Sequence, residues 1–135
     1  MLLVDTNILL AAADTSTPDH ARCAAVLDDH PDVAVTAPVA VETAWMIESG
    51  LGPTTEAAFV GSIATAELAV VDLTSADWAR CTELIVVYAD LGLGIVDASV
   101  IAVAERLGVT TIATLNRRDF AVVRPAHCDT LDLMP

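Results

Sequence analysis

The chain has 135 residues, 55% of them hydrophobic, and a formal net charge of −13 in which all six basic residues are Arg. This length fits one domain that folds without disulfides or a structural metal, and the longest clean apolar run, AAFVGSIATA, falls short of the roughly 18 residues that span a membrane. The acidic balance argues against a broad basic face for nucleic acid, although Arg117, Arg118 and Arg124 crowd together and oppose the global sign locally.

In chain order, LLVD at 2–5 reads as a buried strand and TNILLAAA at 6–13 as a helix that Thr6 or Asn7 caps. The AAA at 11–13 resembles a leader cleavage site. No Lys or Arg precedes it and Asp5 interrupts the apolar stretch, so no leader is expected. DTSTPDH is a loop, and Pro18 suits the first turn of a second helix reaching about His30. DVAVT at 32–36 is a second strand. Pro38 opens a helix through Ser49 that GLGP stops, and 54–67 is helical. LAVVDL at 68–73 is a third strand, and TSADWARCTELIVVYADLG is a helix between a Ser/Asp start and a Gly stop. IVDASVIAVAERLG is a further helix ending at Gly108. VTTIATL at 109–115 is a fourth strand and TLDLM at 130–134 a fifth. Short apolar strands alternating with helices predict an α/β fold with a parallel sheet of four to five strands flanked by helices. Cys23, Cys81 and Cys128 are odd in number and unpaired in spacing, which predicts reduced thiols and a cytoplasmic protein.

Three acids stand apart from the rest. Asp5 ends the first strand, Glu42 sits inside PVAVETAWMI and Asp97 inside GIVDASVIAV, each the lone charge in an apolar or small-residue stretch. A carboxylate among apolar neighbours must be paired, hydrogen-bonded, protonated or bound to metal. Six Arg cannot serve nineteen acids, and none lies near Asp5 or Glu42 in sequence. Helix capping suits Asp97 in a first turn but not Glu42, which lies deeper in its helix. In an open parallel sheet, ligands bind beyond the carboxyl ends of the strands where strand order reverses. Asp5 lies at such an end, and TLNRRD adds Asn116 and Asp119 beyond the fourth strand. Three carboxylates about 5 Å apart repel by roughly 3 kcal/mol per pair at an effective dielectric of 20. The total rivals the stability of a whole domain. Such a cluster takes up protons or a divalent cation, and oxygen ligands without a nearby His favour Mg²⁺ or Mn²⁺ over Zn²⁺.

LLVDTNILL, VAVETAW, GIVDASVIAVAERLG and TTIATLNRRDF, in this order and spacing, resemble the PIN-domain ribonucleases of the VapC toxin type. The resemblance covers residues 1–135 as one PIN domain. It implies Mg²⁺-dependent endonucleolytic cleavage of structured RNA, tRNA or a ribosomal RNA loop, leaving a 3′-hydroxyl and a 5′-phosphate. It implies that Asp5 and Asp97 are the principal metal ligands and Glu42 the third acid. Thr6 or Asn7 would brace the first acid, and Thr114 would line the site. The family often carries a fourth acid where this chain has Asn116, and Asp119 takes over part of that role. The resemblance further implies a VapB-type antitoxin as partner and a homodimer.

Competing readings fail on particular residues. A receiver domain or an Asp-nucleophile phosphatase needs a Lys, and this chain has none. GLGIVDA lacks the third glycine of a dinucleotide fingerprint, and no Walker sequence occurs. The surviving rival is a catalytically silent PIN-like module that binds RNA or a protein. His127 and Cys128 lack the companion ligands of a metal site. Trp45, three residues from Glu42, is expected to pack in the core, with base stacking as the alternative. Trp78 reads as half-buried or as part of a dimer or antitoxin surface, and Arg117 and Arg118 as phosphate contacts.

Overall fold

The strand segments are short and mostly Leu, Ile, Val and Ala, with Asp132 the one charge among them, and they assemble at the centre of the molecule. The computed structural model describes residues 1–135. Five strands, β1 (Leu2–Val4), β2 (Val33–Thr36), β3 (Ala69–Val71), β4 (Thr111–Ala113) and β5 (Asp132–Met134), form one sheet in the order β3-β2-β1-β4-β5. Every pairing is parallel, with Leu3 of β1 opposite Ala34 on one side and Ile112 on the other. The three central strands are almost wholly buried, as strands covered on both faces must be.

Seven helices flank the sheet: α1 (Thr6–Ala13), α2 (His20–Asp29), α3 (Ala37–Leu51), α4 (Pro53–Ala64), α5 (Ser75–Val87), α6 (Ile95–Leu107) and α7 (Arg117–Val122). The α6 helix has no wet face over most of its length, because Ala98 through Ala104 are all buried. Its alanines and valines let neighbouring helices approach closely. It ends at Gly108, whose φ of 69° is a left-handed conformation that suits glycine. Two Arg–carboxylate pairs tie its last turns to α5: Arg80 with Glu105 and Arg106 with the buried Asp77. Glu105 and Arg106 are thereby spent at the far end of the helix from Asp97.

The predicted elements stand, with shifts at their ends. Pro18 lies in the turn before α2 and not in its first turn. The helix expected over TSADWARCTELIVVYADLG stops at Val87, and Ala89–Leu91 form a separate short 3₁₀ turn. The α7 helix was not anticipated; Asn116 precedes it and Asp119 lies in its first turn. No helix is long and apolar enough to cross a membrane. The three cysteines are unpaired.

With β1 central, the chain runs outward through β2 and β3 on one side and later through β4 and β5 on the other. Strand order therefore reverses between β1 and β4. The carboxyl ends of those two strands, followed by Asp5 and Thr114, flank the crevice where such sheets bind ligands.

Candidate active site

Asp5 leaves β1 in extended conformation and is itself the cap of α1, in place of the expected Thr6 or Asn7, which lie inside the helix. Its Oδ1 accepts from the Thr6 backbone N–H at 2.8 Å. Its Oδ2 accepts from the Asn7 amide and from the Thr114 hydroxyl, each at 2.8 Å. The Asn7 side-chain oxygen accepts the Leu115 backbone N–H at 2.8 Å. Asn7 thus clasps the end of β1 to the end of β4, and Thr114 does the same from the other strand. Asp5 is only 3% exposed. Burial raises its pKa, the hydrogen bonds from Thr114 and Thr6 oppose that rise, and the charge of Glu42 adds to it.

Glu42 comes from the first half of α3, which begins at Ala37 with Pro38 in its first turn and Thr36 as its cap. Asp97 comes from the first turn of α6. One buried chain of hydroxyls fastens these two helices. Thr36 Oγ1 lies 2.7 Å from Ser99 Oγ, and Ser99 donates to the Val96 carbonyl at 2.6 Å. The strand-end threonine that caps α3 thereby also fixes the turn carrying Asp97.

Asp5, Glu42 and Asp97 line one cleft of about 170 Å³ together with Thr6, Asn7, Leu10, Met46 and Asn116. None of the three acids is paired with an Arg. Arg22, Arg80, Arg106 and Arg118 hold Asp19, Glu83 with Glu105, Asp77 and Asp119. Arg117 and Arg124 bond to the carbonyls of Pro135 and Ala121. Asp97 caps nothing, since α6 has no side-chain cap. Its pKa is pushed up to about 7, by burial first and then by the charges of Asp5, Asp119 and Glu42.

The outer members of the expected set separate into two groups. Asn116 reaches the cleft wall, its backbone N–H donating to Thr114 Oγ1 at 3.0 Å and its amide to Asp119 at 2.9 Å. Asp119 does not line the cleft. It is held by Asn116 and Arg118, which keep its carboxyl below the usual range, and it acts on Asp97 through its charge. Arg117 and Arg118 are exposed at the start of α7. Trp45 departs from expectation: it is 66% exposed and does not pack in the core. Its apolar flanks mimic a core segment, but position 45 faces outward on α3.

A divalent cation fits this donor set. The cleft offers carboxylate and amide oxygens, and its acidic charge is compensated by no cation of the protein. As the side chains stand, no three His, Cys, Asp or Glu residues converge closely enough to form a complete protein cage. Mg²⁺ does not require one, because it keeps several waters and takes one or two carboxylates alongside phosphate oxygens.

The PIN domain family matches residues 2–124 of the chain. Ribonuclease VapC26 of Mycobacterium tuberculosis is 30% identical over 135 residues, which is 99% of this chain and 100% of that protein. Among solved structures, the fold is shared with M. tuberculosis VapC20, described as a sarcin-ricin loop cleaving toxin. The TM-score is 0.77 at 19% identity over 83% of this chain and 87% of the other. It is shared also with VapBC2 from Rickettsia felis bound to a promoter DNA fragment, with a TM-score of 0.68 at 18% identity over 98% and 96% of the two chains.

Proposed function

This chain belongs to the PIN-domain family of VapC-type ribonucleases, and from that premise we propose that it is an Mg²⁺-dependent endoribonuclease toxin whose reaction centre is the cleft between Asp5, Glu42 and Asp97. The observation that carries this reading is that three carboxylates, from the end of β1, from α3 and from α6, line one cleft and none of them is paired with an Arg. Asp5 and Asp97 would hold the cation. When bound, it neutralises the scissile phosphate and makes a water more acidic.

The protein's own groups do the rest. Thr114, Asn7 and the Thr6 N–H keep the Asp5 carboxylate fixed in one orientation. Glu42, without a hydrogen-bonded partner, accepts the proton of the attacking water. The water oxygen bonds to phosphorus and the P–O3′ bond breaks. The products are a 5′-phosphate and, after protonation, a 3′-hydroxyl. Asn116 lends an amide at the cleft wall, while Arg117 and Arg118 meet phosphates further along the strand. The substrate is structured RNA, a tRNA or a ribosomal RNA loop.

The three unpaired thiols suit a cytoplasmic setting. The partner is a VapB-type antitoxin, whose basic inhibitory segment matches a chain of charge −13. The active form is a homodimer. Asn116, standing where relatives often have an acid, favours a second reading: an RNA- or protein-binding module that does not cleave.

Purified protein incubated with total RNA, with Mg²⁺ or with EDTA, followed by mapping of new 5′ ends, separates the two. Discrete 5′-phosphate ends that require the metal and vanish with Asp5→Asn support the nuclease. RNA that is bound but stays intact with both Mg²⁺ and Mn²⁺ supports the silent module.

A further inference from the structure

Thr6 follows Asp5 directly and lines the carboxylate cleft, yet only its backbone serves Asp5, through the N–H that donates to Oδ1. Almost any residue at this position would supply that N–H. The side chain is the unexplained part. Thr6 is 4% exposed, and its hydroxyl has no hydrogen-bond partner. A buried hydroxyl without a partner destabilises the fold, and a Val of the same shape would not. At the wall of a cleft, such a group calls for a partner that arrives from outside. No hydrogen bond holds the hydroxyl where it lies, so a turn about χ1 that brings it toward the cleft breaks none. Threonine in a helix readily populates two such rotamers. Thr43 carries the other partnerless hydroxyl, but it is wholly buried on the Val39–Thr43–Ile47 stripe of α3 and does not line the cleft.

The other donors of the cleft are almost used up. Leu10 and Met46 offer no side-chain donor, and Asp5, Glu42 and Asp97 are acceptors when ionised. Asn7 gives its amide hydrogens to Asp5 and Thr114. Asn116 gives one amide hydrogen to Asp119 and keeps one. No Lys or Arg lines the cleft. The Thr6 hydroxyl is therefore an uncommitted donor at a wall made mostly of acceptors. The non-bridging oxygens of a phosphodiester are acceptors too, and carboxylates repel them wherever neither a cation nor a donor stands between. We infer that the Thr6 hydroxyl is a substrate contact, donating to a non-bridging oxygen of an RNA phosphate lodged at the cleft. This rests on the ribonuclease reading and adds to it a residue that recognises the RNA backbone and is indifferent to the base.

Thr6→Val removes the hydroxyl and keeps the branched shape, Thr6→Ser keeps the hydroxyl, and Thr43→Val removes the other partnerless hydroxyl as a control. The probe is a short oligoribonucleotide, with Ca²⁺ in place of Mg²⁺ to slow turnover. Thr6→Val should weaken its binding on the order of tenfold, the loss of one hydrogen bond to a charged group. Its melting temperature should be no lower than the parent's, and its affinity for Mn²⁺ alone should be unchanged. Thr6→Ser and Thr43→Val should bind the RNA as the parent does. Unaltered binding by Thr6→Val overturns the proposal. An equal loss in Thr6→Ser or in Thr43→Val also overturns it, because the effect would then trace to packing. A matching loss of Mn²⁺ affinity in Thr6→Val overturns it as well, and assigns the hydroxyl to the surroundings of the ion. Cleavage of total RNA in Mg²⁺ is scored separately. Cleavage by the parent, with normal binding by Thr6→Val, leaves the nuclease reading and removes the contact. Weakened binding by Thr6→Val, with no cleavage by any chain, does the reverse.

Discussion

Asp97 stands in the first turn of α6 beside three other acids, with neither a cation nor a hydrogen-bond donor on its carboxylate. Its pKa of about 7 means that the metal-free native state binds a proton which the unfolded chain, with an ordinary Asp near 3.8, has released. Stability from this group is therefore full below about pH 4 and is lost as pH rises through about 7. Asp97→Asn removes that loss. In EDTA at pH 8 the variant should be more stable than the parent by about 2 kcal/mol, allowing for solvent in the cleft. The gap should narrow as pH falls below 7 and close only near pH 4, and RNA cleavage should be abolished throughout. Parallel melting curves across pH 4–8 measure it, and a variant less stable than the parent at pH 8 would contradict the electrostatic assignment. The sequence disclosed these acids because a lone charge in an apolar run needs a reason. It did not disclose Trp45, because a tryptophan flanked by Ala, Met and Ile looks like core until the helix face is known. Nor did it separate Asn116 from Asp119, which depends on how the chain turns after β4.

At the level of elements, Thr36 both caps α3 and bonds Ser99 of α6, so one hydroxyl sets the spacing of the helices that carry Glu42 and Asp97. Thr36→Val leaves a buried serine without its partner and α3 without its cap. The expected cost is about 2 kcal/mol of stability, accompanied by a fall in cleavage rate at temperatures where the protein is still folded. Thr74→Ala is the control. It breaks the capping box with Asp77 at the start of α5, away from the cleft, and should cost about 1 kcal/mol without altering the rate. Equal rates for the two variants would show that the Thr36–Ser99 bond serves stability alone. Most elements were readable because their apolar patterns and Gly or Pro stops are local. The end of α5 was not, since a Gly stop at residue 92 gave no hint that the helix would break at Tyr88. The α7 helix, six residues long, has too little apolar periodicity to declare itself.

Across the whole molecule, four of six Arg are already paired with acids. RNA binding should therefore release few counterions, and log K against log salt should have a slope of only about −1 to −2. Arg117→Ala should reduce that slope by roughly 0.7; an unchanged slope would remove Arg117 from the interface. The alternation of strands and helices made the α/β class legible, and Asp5 at a strand end pointed to the crevice. The order β3-β2-β1-β4-β5 was not legible, because strand pairing is settled by long-range burial and has no local signature. That order is what brings Thr114 and Asn116 to Asp5, residues more than a hundred positions apart. Calorimetric titration with Mn²⁺ at pH 7 tests the metal centre most directly, using the parent chain, Asp5→Asn and Asp97→Asn. The parent should bind the ion and release protons, since Asp97 must ionise to serve as a ligand. Each variant should lose at least the roughly 10–100-fold in affinity that removing a supporting residue costs a metal site. Variants that bind Mn²⁺ as tightly as the parent would contradict the assignment of Asp5 and Asp97 as the residues that hold the ion.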